Sequence, residues 1–137
     1  MKFIKDAKQS MGKFIIKQNN YGYTFNLKAE NGEIIATSGE VLNTLPTCKN
    51  SIESVITNAP IAELEDQTVE GYQEKKCPKF EIYLDKIGEY RFRLKARNGE
   101  PILASEGYTA KSGCKNGIES VRQNVVAATV TGPESAE

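Results

Sequence analysis

Apolar and polar residues alternate along two stretches of the second half of the chain. Phe80, Ile82 and Leu84 are separated by Glu81 and Tyr83, the period of two that marks a half-buried strand. Tyr90, Phe92, Leu94 and Ala96 alternate in the same way with Arg91, Arg93 and Lys95, which predicts a second strand. Asn98-Gly99 supplies two residues that accept positive φ, so a type I′ hairpin turn is expected, leading into a third strand near Ile102 to Ser105. The period then changes. Cys114, Ile118, Val121 and Val125 fall at i, i+4, i+7 and i+11, one face of a helix. Thr109 is placed to cap its start, and Asn124 lies near its end.

The first half repeats this text. Phe14 matches Phe80, Phe25 matches Phe92, Leu27 matches Leu94, and Asn31-Gly32-Glu33 matches Asn98-Gly99-Glu100. Further on, Cys48-Lys49-Asn50 matches Cys114-Lys115-Asn116, and Ile52-Glu53-Ser54-Val55 matches Ile118-Glu119-Ser120-Val121. Copy two is one residue longer in its first turn and copy one is one longer before the helix, so both length changes fall in connections. Pro60 stops the first helix. Residues 61–65 and 126–131 can each add a fourth strand. One unit of about 48 residues buries too little surface to be stable alone, so the two are expected to share a core.

The run F-x-L-K-A-x-N-G-E, then S-E-G-Y, then C-x-N-G-I-E-S-V resembles the YegP-like family of small bacterial proteins. Copy two carries it as Leu94 to Glu100, Ser105 to Tyr108 and Gly117 to Val121. Copy one departs from it, with Ser38-Gly39-Glu40-Val41 in place of S-E-x-Y and Ser51 in place of the helix glycine. The resemblance implies an α+β fold of two tandem β-β-β-α(-β) repeats with pseudo-twofold symmetry, open to exchange of the C-terminal strands between the repeats. It implies no activity. The expected architecture is an antiparallel sheet with the helices packed on one face. Its parts are an N-terminal extension (1–12), repeat 1 (13–65), an acidic linker (66–78), repeat 2 (79–131) and a flexible tail (132–137).

Composition narrows the chemistry. The 137 residues include no histidine, which removes Ser-His-Asp and Cys-His catalysis and any imidazole-ligated metal. No catalytic, cofactor or metal site is therefore expected. Eighteen basic residues balance eighteen acidic ones, so a protein that binds nucleic acid mainly through phosphates is disfavoured. Lys2, Lys5, Asp6 and Lys8 interrupt any apolar signal core, no apolar run is long enough to span a bilayer, and three scattered cysteines make no disulfide framework. These features predict a reduced, cytoplasmic protein without membrane contact, and the internal duplication predicts a monomer.

Candidate residues are few. Cys48 and Cys114 lie on the apolar helix faces, where cysteine packs as a small hydrophobe; Cys77, in the linker, is expected to be more exposed. If Phe92 and Leu94 point inward, then Arg91, Arg93 and Lys95 point outward beside Lys79 and Tyr83. Residues 79–126 carry nine basic against six acidic side chains, and such a strip could hold a single-stranded nucleic acid or another polyanion. The segment Gly107 to Gly113, with Lys111, could collect an anion at the helix start but lacks P-loop spacing, so capping is expected. Asn31, Gly32, Asn98 and Gly99 serve turns, while Lys28 and Lys95 are expected to pair across strands with Glu33 and Glu100. Because nucleophile, base and orienting group nowhere come together, a non-enzymatic binding module with an unidentified partner, a protein ahead of a nucleic acid, leads. Polyanion binding comes second, and an enzyme without histidine third.

Overall fold

In the computed structural model, which describes residues 12–135, the elements run β1 (Lys13–Asn19), β2 (Gly22–Lys28), β3 (Ile34–Thr37), α1 (Leu45–Asn58) and β4 (Glu63–Asp66). The second half continues β5 (Lys79–Leu84), β6 (Tyr90–Lys95), β7 (Pro101–Ala104), α2 (Lys111–Asn124) and β8 (Thr129–Ser135). The strands form one eight-stranded sheet in the order β4-β5-β6-β7-β3-β2-β1-β8. Among the described residues the fold is thus α+β, with two helices and a single sheet.

Registers place the alternating apolar residues on one face. Phe14 lies opposite Leu27 and Ile16 opposite Phe25, while Phe80 lies opposite Leu94 and Ile82 opposite Phe92. The halves join where Thr37 of β3 meets Ala104 of β7. On the apolar face α1 packs over β2 and β7, and α2 over β6 and β3, so each helix touches strands of both halves. Cys48, Ile52 and Val55 of α1 and Cys114, Ile118 and Val121 of α2 are buried there with Phe14, Phe25, Phe80 and Phe92. Burial is worth about 1.5–3 kcal/mol per large side chain and outweighs the few tenths available from surface ion pairs. Edge-to-face ring pairs, Phe14–Phe25 at 5.7 Å and Phe80–Phe92 at 5.9 Å, fix the packing in each half.

Four local expectations need correction. The sheet is not wholly antiparallel: β4 runs parallel to β5 and β8 parallel to β1. A parallel neighbour needs a crossover of about a dozen residues, and residues 67–78 supply it, so the acidic linker is part of the sheet's construction. The Asn-Gly turns are not type I′, because among the described residues, Asn31 and Asn98 included, none other than glycine has positive φ. Instead Gly32 N–H donates to Ala29 O (2.9 Å), Glu33 N–H to Asn31 Oδ1 (2.9 Å), and Glu100 N–H to Asn98 Oδ1 (3.0 Å). Asparagine holds these turns through its side chain, leaving only Gly32 (φ +91°) and Gly99 (φ +87°) in the left-handed region.

The cap of α2 is Ala110 rather than Thr109, with no side-chain hydrogen bond, whereas α1 is capped by Thr44, whose Oγ1 accepts from Thr47 N–H (3.2 Å). Finally, residues 132–135, expected as part of a flexible tail, belong to β8. Most of the expected N-terminal extension lies outside the described residues. Its last residue, Gly12, is buried, and its carbonyl accepts from Thr129 N–H (3.1 Å).

Candidate functional site

The cationic strip of repeat 2 lies on the sheet face away from the helices, as alternation requires, but it is neither bare nor uncompensated. Glu65 stands opposite Glu81 on neighbouring strands, both almost wholly buried. Lys79, 4% exposed, resolves their repulsion: its Nζ lies 2.8 Å from Glu65 Oε1 and 3.1 Å from Glu81 Oε2. Glu81 also receives Arg93 Nε (2.5 Å) and Lys95 Nζ (3.3 Å), and Arg93 covers the Tyr83 ring at 4.1 Å. Arg91 pairs with Asp85 at 2.7 Å.

The crossover closes this cluster, because Gln67 Nε2 and Lys75 N–H each donate to Glu65 (2.6 Å). Burial alone would raise the glutamates, but hydrogen bonds from Lys79, Gln67 and Lys75 to Glu65, and from Arg93 and Lys79 to Glu81, hold both below the usual carboxylate range. The same bonds overcome desolvation at Lys79 and raise it. These residues brace the sheet. Lys95 therefore spends its charge on Glu81 rather than on Glu100.

Other candidates are also engaged within the fold. Cys48 and Cys114 are fully buried, and burial pushes both thiols up, Cys114 to about 11 with help from the charge of Asp66. Cys77 is partly exposed. Lys111, at the start of α2, pairs with Asp66 at 2.8 Å and so ties β4 to the helix. Ser105 Oγ accepts from Phe92 N–H (2.9 Å) and Ser38 Oγ from Phe25 N–H (3.4 Å), joining neighbouring strands. Among the described residues no group of three or more histidine, cysteine, aspartate or glutamate side chains is placed to hold a metal.

A site does arise where the two halves differ. Tyr108 and Leu42 occupy equivalent places: each forms an isolated antiparallel bridge, Tyr108 with Tyr90 and Leu42 with Tyr23. Leu42, not Val41, thus stands where the tyrosine would be. In the second half the Tyr108 ring lies along α2, stacked on Phe92 at 6.4 Å. It fits because residue 117 is glycine: a Cβ there would collide with Tyr108 Oη and stand 3.0 Å from Phe92 Cε2. Burial, then the charges of Cys114, Glu106 and Glu33, push this phenol up and keep it protonated.

In the first half leucine replaces the tyrosine, Ser51 replaces the glycine, and a cleft remains. Its volume is about 260 Å³, and its walls are Leu42, Thr47, Ser51 and Ser54 on one side and Ala96, Asn98, Glu100 and Ile102 on the other. Gly39 closes one end against Pro101 in a tight contact: a Cβ there would stand 3.0 Å from Pro101 O. That contact brings Glu40 and Glu100 to the same cleft. Along α1 it adjoins a recess lined by Glu53, Asn58 and Arg97; the buried Oδ1 of Asn58 has no hydrogen-bond partner, and neither has that of Asn124 at the matching place on α2. The sequence signal was present in the absent tyrosine and the Gly-to-Ser change, but without the geometry it does not read as space.

The domain of unknown function DUF1508 matches twice, over residues 19–66 and 85–131. The chain belongs to the DUF1508 family. Relatives carry the same family under the label UPF0339. The UPF0339 protein YegP of Yersinia pestis is 40% identical over 116 residues, covering 84% of this chain and 89% of its own. A UPF0339 protein encoded in the ptx operon 5′ region of Stutzerimonas stutzeri is 73% identical over 45 residues, 33% of this chain and 40% of its own. The solution NMR structure of Escherichia coli yegP, a protein of unknown function, superposes with a TM-score of 0.74 at 28% identity, over 93% of this chain and 96% of its own. Both DUF1508 segments include the residues that set the two halves apart, Leu42 and Ser51 in the first and Tyr108 and Gly117 in the second. No helix of this DUF1508 protein, among the described residues, is long and apolar enough to cross a membrane.

Proposed function

We propose that the chain is a non-catalytic binding module built as an internal pseudo-dimer, and that its ligand site is the cleft between α1 and the β6–β7 hairpin. The pseudo-dimer reading rests on the edge strands. β4, which follows α1, pairs with β5 of the second half, and β8, which follows α2, pairs with β1 of the first. Each half thus lends its last strand to the other, an exchange satisfied within one chain and consistent with a monomer.

The observation that carries the ligand site is the unequal filling of two equivalent seats. A seat closed by Tyr108 in one half and open over about 260 Å³ in the other is a concave, preformed pocket with apolar walls and a few polar groups. Binding is favoured over turnover by the engagement of the hydroxyls. Thr47 Oγ1 accepts from Thr44 (2.8 Å) and Ser54 Oγ from Asn58 Nδ2 (3.0 Å), bonds that cap and brace the helix and activate no nucleophile. A polyanion on β6 would have to displace the carboxylates already held by Lys79, Arg91, Arg93 and Lys95, so that reading is set aside.

The test is a fragment screen against the ¹⁵N-labelled chain, read as amide shifts, repeated on a Leu42→Tyr/Ser51→Gly variant that installs the tyrosine seat. Saturable shifts confined to residues 38–54 and 96–102, absent in the variant, are expected. Hits that map elsewhere, or that persist in the variant, would overturn the assignment.

A further inference from the structure

A separate cavity of about 670 Å³ lies between the edge strand β4 and α2, and Arg122 stands in its wall. The fold needs no charge at this position, because the counterpart of Arg122 on α1 is Ile56, which packs against the core. The guanidinium is nevertheless fixed. Its Nη2 donates to Ala62 O (2.8 Å), and its carbon lies 5.2 Å from the centre of the Phe80 ring. Most of its donors are idle: Nε is buried without a partner, and Nη1 stands 3.9 Å from Glu119 Oε2, too far for a hydrogen bond. Arginine offers five N–H donors in a rigid fork that matches a carboxylate, and here, with the side chain only 27% exposed, the fold uses one of them.

Two more cations reach the same cavity. Lys115 stands two turns before Arg122, about 10 Å away along the helix axis, and has no ion pair among the described residues. Lys75 enters from the crossover, where its N–H is anchored on Glu65, and its Nζ comes no nearer to a carboxylate than 3.9 Å, at Glu63. Glu63 and Glu119 also line the cavity, but their side chains are 66% and 62% exposed, so water meets most of their need for donors. Ile118 lies between Lys115 and Arg122 on the same side of α2, and Leu64 of β4 adds to the apolar wall. Along the helix the order is cation, alkyl group, cation.

We infer that this cavity is a second binding site, and that it takes a small α,ω-alkanedicarboxylate. Arg122 receives one carboxylate and Lys115 the other, Lys75 completes the charge balance, and the methylene chain lies along Ile118 and Leu64. Charge-assisted bonds to the idle guanidinium donors are the strong contacts. Two negative charges at the ends of a chain suit two cations two helical turns apart, a span that a compact anion such as phosphate does not cover. The volume falls within the roughly 300–1,000 Å³ of small-molecule sites. The inference stands or falls independently of the first-half cleft.

The experiment titrates the full-length ¹⁵N-labelled protein at constant ionic strength with adipate and, separately, with hexanoate, neutral 1,6-hexanediol and inorganic phosphate. Saturable shifts of residues 62–64, 75 and 115–122 with adipate are expected, and each of the other three probes should bind about tenfold more weakly or less. Arg122→Ile, which installs the residue of the other half, should keep the amide spectrum of the folded sheet and lose about tenfold or more in adipate affinity. Lys115→Gln changes an exposed side chain, so it tests the site even if Arg122→Ile unfolds, and it too should weaken adipate. Phosphate or hexanoate binding here as tightly as adipate overturns the dicarboxylate. No saturable shift with adipate, shifts scattered over surface lysines, or full affinity in Lys115→Gln or in a folded Arg122→Ile overturns the site. Adipate shifts confined to residues 38–54 and 96–102 would place the anion in the first-half cleft and overturn it as well.

Discussion

Gly117→Ala tests the tyrosine seat directly. In an ordinary helix this change is stabilising by about 0.8–1 kcal/mol, because alanine loses less backbone freedom. Here the new methyl would collide with Tyr108 Oη and press on Phe92 Cε2 at 3.0 Å. Overpacking of this kind costs about 1–3 kcal/mol, so the net effect should be a loss of about 1 kcal/mol. Replacing Tyr108 by leucine, the residue at position 42, removes the hydroxyl and ring that the methyl strikes. In a Tyr108→Leu background the same Gly117→Ala change should be neutral or slightly stabilising, since only the Phe92 contact remains to be relieved. The predicted coupling between the two sites is about 1–2 kcal/mol, within the range for residues in contact. Urea unfolding of the four proteins at equal slope measures it. Additivity within about 0.5 kcal/mol, or a Gly117→Ala protein more stable than wild type, would refute the seat.

Three further outcomes follow from the buried charges and the turns. Lys79→Met leaves Glu65 and Glu81 facing each other out of water and should cost about 3–5 kcal/mol in urea unfolding; a loss below about 1 kcal/mol would mean the cluster is not held by that lysine. Glu65, Asp66 and Glu81 are held below their ordinary values, so the stability they add is present above the unfolded carboxylate range and is lost as pH falls through their lower folded values. Melting temperature should therefore drop as pH is lowered below about 4, and a flat profile down to pH 2 would contradict the network. Gly99→Val forces a β-branched residue to φ +87° with open space around its Cβ, so the penalty is backbone strain, about 1 kcal/mol or more, and an unchanged melting temperature would falsify it.

The strands and helices were legible because the apolar periods report which side faces the core. Phe80, Ile82, Phe92 and Leu94 could be placed on one face from alternation alone, as could Cys114, Ile118 and Val121 on one side of a helix. The strand partners were not legible. Nothing in residues 63–66 says that they lie parallel to β5 rather than antiparallel to a nearer strand, since that depends on the path of the crossover. The charge balance was hidden for the same reason. Arg93 and Lys95 read as a basic strip until Glu81 is set between them and Lys79, and Glu65 arrives from 14 residues earlier. At Asn31 and Asn98 the asparagine side chain bonds its own turn, an alternative to positive φ that the dipeptide does not distinguish. The cleft depends on a difference between copies. Its residues Leu42 and Ser51 are ordinary singly and informative only against Tyr108 and Gly117.

The central claim is that the first-half cleft is the vacant counterpart of the Tyr108 seat, and the stability of Leu42→Tyr/Ser51→Gly measures it most directly. If the seat is equivalent, the new ring is buried along α1, and that gain exceeds the roughly 0.5 kcal/mol lost by placing glycine in the helix. A net gain of about 1 kcal/mol, a rise of about 3 °C in melting temperature, is predicted. A fall in melting temperature would mean that the ring finds no seat there, and that the two halves differ in more than what fills them.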